Sequence, residues 1–297
     1  MSEADPSEII LVDKHKRGGE RLKDISGVQR ALEAVGSIQN ITLSTLARNR
    51  RVLFVEGDND FRLLRRFARK LRMSELSAGL GITSLESGGF GSWQRVTTLA
   101  MGIAEVLGAP LTIAAIYDRD YFCEEEVSNL KASLSSKLSL AHVHDRKEIE
   151  NYLLIPDALD RAIERAVIER TARSGTAIST LPKARDLLLE ITDGLRDDVQ
   201  SQLIACRTNY LRGSGKDIAV ITRETLTWFS PRWEDLALRL VLVPGKEVLR
   251  MLREKLQTML GVSLTDARIV EAMHKDDVPL DLRQLLVALD DFRKTRI

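Results

Sequence analysis

A chain of 297 residues is long enough for one large domain or two modest ones, and 44% hydrophobic with 29% charged residues excludes wholesale disorder. Only 5% of residues are aromatic, so the core must be mostly aliphatic, and a net charge of +1 argues against a protein that merely coats nucleic acid. Cys123 and Cys206 give neither a disulfide framework nor zinc spacing, and no apolar run suits a signal peptide or a membrane span, so a reduced, cytoplasmic protein with no membrane partner is expected.

Along the chain, Ile9 to Val12 is strand-like, Lys14 to Lys23 reads as a basic, glycine-containing loop, and Val28, Leu32, Val35 and Ile38 keep helical spacing. Val52 to Val55 is a short, fully apolar run, as in a strand buried on both faces. Asp58 offers an N-cap for a helix with Phe61, Leu64, Ala68 and Leu71 on one face. A second strand is expected at Ile82 to Leu85, ending in the turn cluster Ser87 to Ser92, then a helix from Val96 to Leu107 and a buried strand from Leu111 to Ile116. This alternation predicts a parallel sheet with helices on its faces. A short extended segment lies at His142 to His144, both histidines being read as structural. From 150 to 240 the apolar spacing is helical: Leu153, Leu159, Ile163 and Val167, then Leu187, Ile191, Leu195, Val199 and Leu203. Leu238 to Gly245 reads as a last strand and turn, with a helix starting near Lys246. The expected fold class is therefore α/β, a parallel sheet flanked by helices with an additional mostly helical domain. Its expected parts are a joining segment (1–50), an α/β core (51–155), a helical domain (156–237) and a C-terminal segment returning to the core (238–297).

Open α/β sheets bind ligands at the carboxyl ends of their strands. Here one buried strand ends at Glu56, with Asp60 four residues on, and another ends at Asp118-Arg119-Asp120. Side chains two apart on an extended segment point the same way, so Asp118 and Asp120 are expected to face one site. Clustered carboxylates repel unless protons or cations lie between them, and Mg²⁺ or Mn²⁺ takes such oxygen ligands. Either acid group alone has a plain structural reading as a helix cap; the two together at strand ends are harder to dismiss.

Val55-Glu56-Gly57-Asp58-Asn59-Asp60 followed by Tyr117-Asp118-Arg119-Asp120 resembles the two signature motifs of Toprim domains. His144 to Leu154, with Glu148-Ile149-Glu150-Asn151-Tyr152-Leu153, and Pro244-Gly245-Lys246-Glu247 resemble two further segments of OLD-family (overcoming lysogenization defect) nucleases, in the family's order. The resemblance implies a Toprim core that cuts DNA with two Mg²⁺ or Mn²⁺ ions. It implies Glu56, Asp60, Asp118, Asp120 and Glu150 as metal ligands or supporting acids, Glu148 as a less certain companion, and Lys246 as a cation facing the scissile phosphate. Without the resemblance, Lys246 is an ordinary first-turn lysine.

OLD-family proteins usually carry an ATPase domain ahead of the Toprim part, and its phosphate loop is missing here. Gly213-Ser214-Gly215-Lys216-Asp217 has Tyr210 where the first glycine belongs and Asp217 where Ser or Thr belongs. The chain is thus expected to be the C-terminal catalytic region of a longer protein, its partners being DNA and an ATPase domain of the same natural chain; oligomeric state stays open, a dimer through the missing region included. A topoisomerase tyrosine has no recognisable context among Tyr117, Tyr121, Tyr152 and Tyr210, and two cysteines cannot supply a primase zinc module.

Arg62, Arg65, Arg66 and Arg69 follow i, i+3, i+4, i+7 spacing on one helix and form a candidate DNA-binding face, or a merely solvated one. Gly88 to Trp93 is either a loop that approaches substrate or a plain turn. Rival readings are a non-catalytic metal- and DNA-binding module and a Toprim ribonuclease.

Overall fold

The computed structural model describes residues 10–12, 19–21, 46, 49–87, 102, 110–178 and 180–295. The helix expected over 28–38, the Gly88–Trp93 loop and, Gly102 apart, the helix expected over 96–107 lie outside them. The chain divides into two compact units, Met1–Arg50 and Arg51–Ile297.

In the first unit, strand β1 (Ile10–Val12) pairs antiparallel with β2 (Gly19–Arg21). β2 falls in the stretch expected to be a loop. Gly-Glu-Arg carries no apolar alternation, so only pairing with β1 reveals it as a strand.

The second unit is built on β3 (Arg51–Val55), β4 (Thr83–Glu86), β5 (Thr112–Tyr117) and β6 (Leu140–Val143). They form an all-parallel sheet in the order β4-β3-β5-β6. Val52 to Val55 are at most 1% exposed, which explains the unbroken apolar run of β3. All four strands run the same way, so residues following Val55, Tyr117 and Val143 emerge on one edge. The ladder continues past the strands there: the Ser87 N–H donates to the Val55 carbonyl at 2.7 Å, and the His144 N–H to the Tyr117 carbonyl at 3.0 Å.

Helix α1 (Asp58–Lys70) buries Phe61, Leu64, Phe67 and Ala68. Its N-cap is Gly57, not Asp58: the Asp60 carboxylate reaches back and accepts the Gly57 N–H at 2.9 Å, so Asp58 is already the first helical residue. A short helix α2 (Ser74–Ser77) precedes β4, and α3 (Glu124–Ser135) joins β5 to β6.

Beyond β6 a 3₁₀ turn (Ile149–Leu153) leads into helices α4 (Pro156–Ser174), α5 (Ala184–Asp193), α6 (Arg196–Tyr210), α7 (Ile218–Glu234), α8 (Leu236–Leu242), α9 (Gly245–Leu260), α10 (Asp266–Ala272) and α11 (Leu280–Phe292). The strand expected at Leu238 to Val243 is instead α8. Asp235 caps it, its carboxylate accepting the Ala237 and Leu238 N–H groups at 2.8 and 3.3 Å, and Leu236 and Leu240 bury one face at helical spacing. The apolar series Leu187 to Leu203 is interrupted at Gly194-Leu195, where α5 ends and α6 begins. Gly213 to Lys216 is a turn between α6 and α7, and Asp217 caps α7.

One apolar core runs from Leu53 and Val55 in the sheet, through α1 and the 3₁₀ turn, to α4, α5 and α9 to α11. α9 packs on the 3₁₀ turn, α10 on α1 and α4, and α11 on β6. The protein is thus α/β, a parallel sheet flanked by helices and continued by a helical part. Among the described residues no helix is long and apolar enough to cross a membrane.

Candidate active site

Adjacent strands β3 and β5 deliver the first two acids. Glu56 Oε1 accepts the Asp118 N–H at 3.3 Å, and Asp118 Oδ1 accepts the Ile149 N–H at 2.9 Å. Asp118 therefore ties the sheet edge to the 3₁₀ turn that carries Glu150. That turn is held in place by Asn151. Its side-chain oxygen accepts the Glu148 N–H at 2.9 Å, and its amide donates to the carbonyls of Leu240 and Val243, both at 2.8 Å. Gly245 lies against it: a Cβ there would come within 2.6 Å of Asn151 Oδ1 and 2.8 Å of its backbone nitrogen. Two segments far apart in sequence thus interlock, and the fit demands glycine.

The interlock places the first turn of α9 over the acids. The Lys246 N–H donates to Glu148 Oε2 at 2.8 Å, and Lys246 Nζ stands 3.9 Å from both Asp118 Oδ2 and Glu150 Oε2. Backbone N–H groups at a helix start add positive potential beside these carboxylates.

Burial and charge crowding shift the titration of these groups. Burial first, then the neighbouring charge of Glu56, pushes the Asp118 carboxyl up to about 8. Burial, then Asp120, raises Glu56 to about 7. Burial also raises Glu150 to about 7, against the opposing pull of Lys246, and raises Asp60. Burial pulls the Lys246 ammonium down, but Glu150, Asp118 and Asp60 outweigh it, and its pKa is raised.

Asp60, Glu56, Asp118, Glu150 and Lys246 therefore share one electrostatic neighbourhood. Asp120 and Glu148 act on that neighbourhood too, through Glu56 and Glu150, but their carboxylates have a further partner in Lys147. Asp120 adopts φ of +49°, so extended alternation does not carry through from Asp118, and its carboxylate turns to Lys147 Nζ at 3.6 Å. Glu148 accepts from Lys147 Nζ at 2.5 Å and from Lys246 N–H, so both its oxygens have partners.

Lys147, Asn151 and Gly245 had no assigned role in the sequence reading. Their signal was position alone, inside the two segments that flank the acids.

Among the described residues no three His, Cys, Asp or Glu side chains stand close enough to enclose an ion. The donor chemistry nonetheless suits a hard divalent cation. The acids are oxygen donors whose carboxyls burial and then mutual repulsion push up, and Glu150 Oε2 is buried with no hydrogen-bond partner. By donor chemistry and shared electrostatics, Glu56, Asp60, Asp118 and Glu150 are the candidate ligands for such an ion, with Asp120 and Glu148 beside them in charge.

Of the four arginines on α1, Arg65 is turned aside. Its guanidinium donates to the Ser77 carbonyl at 2.9 Å. Arg62, Arg66 and Arg69 are exposed, and the last two line a basic cleft of about 310 Å³ with Lys70 and Arg72 against α10. Tyr152 donates to Asp281 at 2.5 Å, and Lys147 sits over the Tyr121 ring at 4.8 Å. His142 and His144 are stacked edge-on at 5.2 Å, and burial lowers both, His142 to about 4.

No family model matches this chain, and no curated protein matches it. Two solved structures are similar to it. One is the C-terminal region of the Burkholderia pseudomallei OLD protein, at 16% identity and a TM-score of 0.34, covering 82% of this chain and 98% of that one. The other is the C-terminal region of the Xanthomonas campestris pv. campestris OLD protein, at 19% identity and a TM-score of 0.30, covering 82% and 96%. Both are OLD proteins, the family that the four sequence segments resemble. Likenesses this distant carry no residue correspondence, so the roles below are argued from geometry.

Proposed function

We propose that this chain is a divalent-metal-dependent nuclease that hydrolyses DNA phosphodiester bonds with Mg²⁺ or Mn²⁺. The observation that carries the reading is the convergence, at one sheet edge, of Glu56, Asp118 and Glu150 with Lys246 Nζ 3.9 Å from two of them. The resemblance of four segments to OLD-family nucleases supports it.

Two bound ions would supply an activated water and neutralise charge on the departing oxygen. Glu56, Asp60, Asp118 and Glu150 hold them and must shed their protons to do so. Asp118 also keeps the Glu150 turn in place through the Ile149 N–H. Lys246, fixed by its backbone bond to Glu148, presents its ammonium to charge developing on the phosphate. Lys147 pairs with Asp120 and Glu148, whose charges act on Glu56 and Glu150. Arg66 and Arg69 offer phosphate contacts farther along α1, and an ATPase domain of the same natural chain is the proposed regulator.

The test is plasmid nicking by the purified chain in Mg²⁺, Mn²⁺ or EDTA, with single-stranded RNA as competitor. Metal-dependent nicking that RNA does not suppress is expected. RNA cleaved in preference to DNA would favour the ribonuclease reading, and DNA binding without cleavage the non-catalytic module.

A further inference from the structure

Next to the acids lies a cavity of about 490 Å³ that the proposed reaction does not use. It opens between the loop after β5 and helices α6, α7 and α8. Tyr121, Phe122, Leu203, Trp228, Leu238 and Val241 make it apolar and partly aromatic. Asp120 and Lys147 line it too, and they are the residues that back the catalytic acids. Asp120 lines the cavity and its charge also acts on Glu56, so the cavity adjoins the acidic site at that residue.

The charges around the cavity say what it does not take. Arg119 pairs with Glu124 at 2.7 Å, Arg207 with Glu224 at 3.0 Å and Lys147 with Asp120 at 3.6 Å. Arg232 stacks over the Trp228 ring at 4.4 Å and donates to the Trp228 carbonyl at 3.0 Å. Three of the four lining cations are matched by carboxylates, Arg232 lies flat on the Trp228 ring, and Glu125 and Asp145 add further negative charge. Carboxylates outnumber free cations around the cavity, which disfavours a phosphate. A neutral, flat group with polar edges does fit, against aromatic rings and among carboxylate acceptors.

We propose that this cavity is a nucleobase subsite, which receives an unstacked base of the strand whose phosphate lies at the Glu56, Asp118 and Glu150 cluster. The proposal rests on the nuclease reading for the placement of that phosphate. Asp120, common to the cavity lining and to the charges acting on Glu56, puts the base of an adjoining nucleotide within reach. The substrate is then single-stranded, or a duplex at a position where a base leaves the stack readily.

Leu238 provides the clean variant. It lines the cavity yet is 46% exposed, so Leu238→Trp fills the space without disturbing the core. The whole chain is irradiated in Ca²⁺ with a single-stranded DNA oligonucleotide bearing 5-iodouracil, and crosslinked peptides are mapped by mass spectrometry. Crosslinks on Tyr121, Phe122 or Trp228, falling about tenfold in a Leu238→Trp protein of unchanged Tm, are expected. Crosslinks only elsewhere, or undiminished in the variant, overturn the subsite. Plasmid nicking in Mn²⁺ by the same wild-type preparation reports separately on the reaction. Nicking without cavity crosslinks removes the subsite and leaves the nuclease. Cavity crosslinks without nicking keep a base site and remove the nuclease.

Discussion

Lys246 is the residue whose removal separates chemistry from binding. Its side chain is 57% exposed, and its anchoring bond to Glu148 comes from the backbone, so Lys246→Ala keeps that bond. Single-turnover cleavage is expected to slow by about 10²–10³-fold with Tm and DNA affinity nearly unchanged, the scale for loss of one preorganised donor to developing charge. Glu150 behaves oppositely: Oε2 is buried with no hydrogen bond and only the Lys246 ammonium 3.9 Å away, so Glu150→Gln is expected to raise Tm in EDTA while removing cleavage. The acids also set a pH signature. Asp118, Glu56 and Glu150 are raised to about 8, 7 and 7, above their ordinary carboxyl values, so folding favours their protonated forms. That stability is complete below the ordinary carboxyl range and is lost as pH rises through 7 to 8. Urea unfolding in EDTA should therefore show stability falling across that window, and saturating Mn²⁺ should flatten the fall. A metal-free profile that rises with pH would contradict the crowding. Glu56 and Asp118 were legible in sequence because a buried apolar run ending in an acid is a local pattern. Lys147's pairing with Asp120 was not, since Asp120's positive φ breaks the alternation that local pattern assumes.

At the scale of elements, the site depends on the 3₁₀ turn (Ile149–Leu153) and the start of α9 fitting together. Gly245→Ala drives a methyl into Asn151 and should cost about 1–3 kcal/mol, with cleavage lost in the protein that still folds. Asn151→Leu leaves the Glu148 N–H and the Leu240 and Val243 carbonyls without their partner and should cost at least about 2 kcal/mol, measured by urea unfolding. This coupling joins residues roughly ninety apart, and no local periodicity encodes it. The same limit explains the elements that sequence misread. Leu238 to Val243 is apolar enough for a strand, and only the Asp235 cap and the partners of Leu236 and Leu240 mark it as helix. Gly194-Leu195 breaks a helical series without disturbing its spacing, so α5 and α6 merge when read by period alone.

Across the whole molecule, a net charge of +1 hides an uneven distribution. Arg66, Arg69 and Arg72 are exposed, make no ion pair among the described residues, and line one cleft, whereas the sheet edge at Glu56 and Asp118 is acidic. Arg66→Glu with Arg69→Glu should reduce the slope of log K for DNA against log salt by about 2, with Tm unchanged. Arg65→Ala, from the same helix, should instead lower Tm, because its guanidinium holds the Ser77 carbonyl beside Gly79. The sequence spacing placed all four arginines on one face; only packing against α2 shows that Arg65 belongs to the fold. The measurement that bears most directly on the account is the Mn²⁺-dependent plasmid nicking rate of Asp118→Asn beside wild type. Asparagine keeps an oxygen to accept the Ile149 N–H while losing the charge. A folded protein whose nicking falls by at least about 10²-fold is expected; nicking at the wild-type rate would show that the acids at this sheet edge are not the catalytic site.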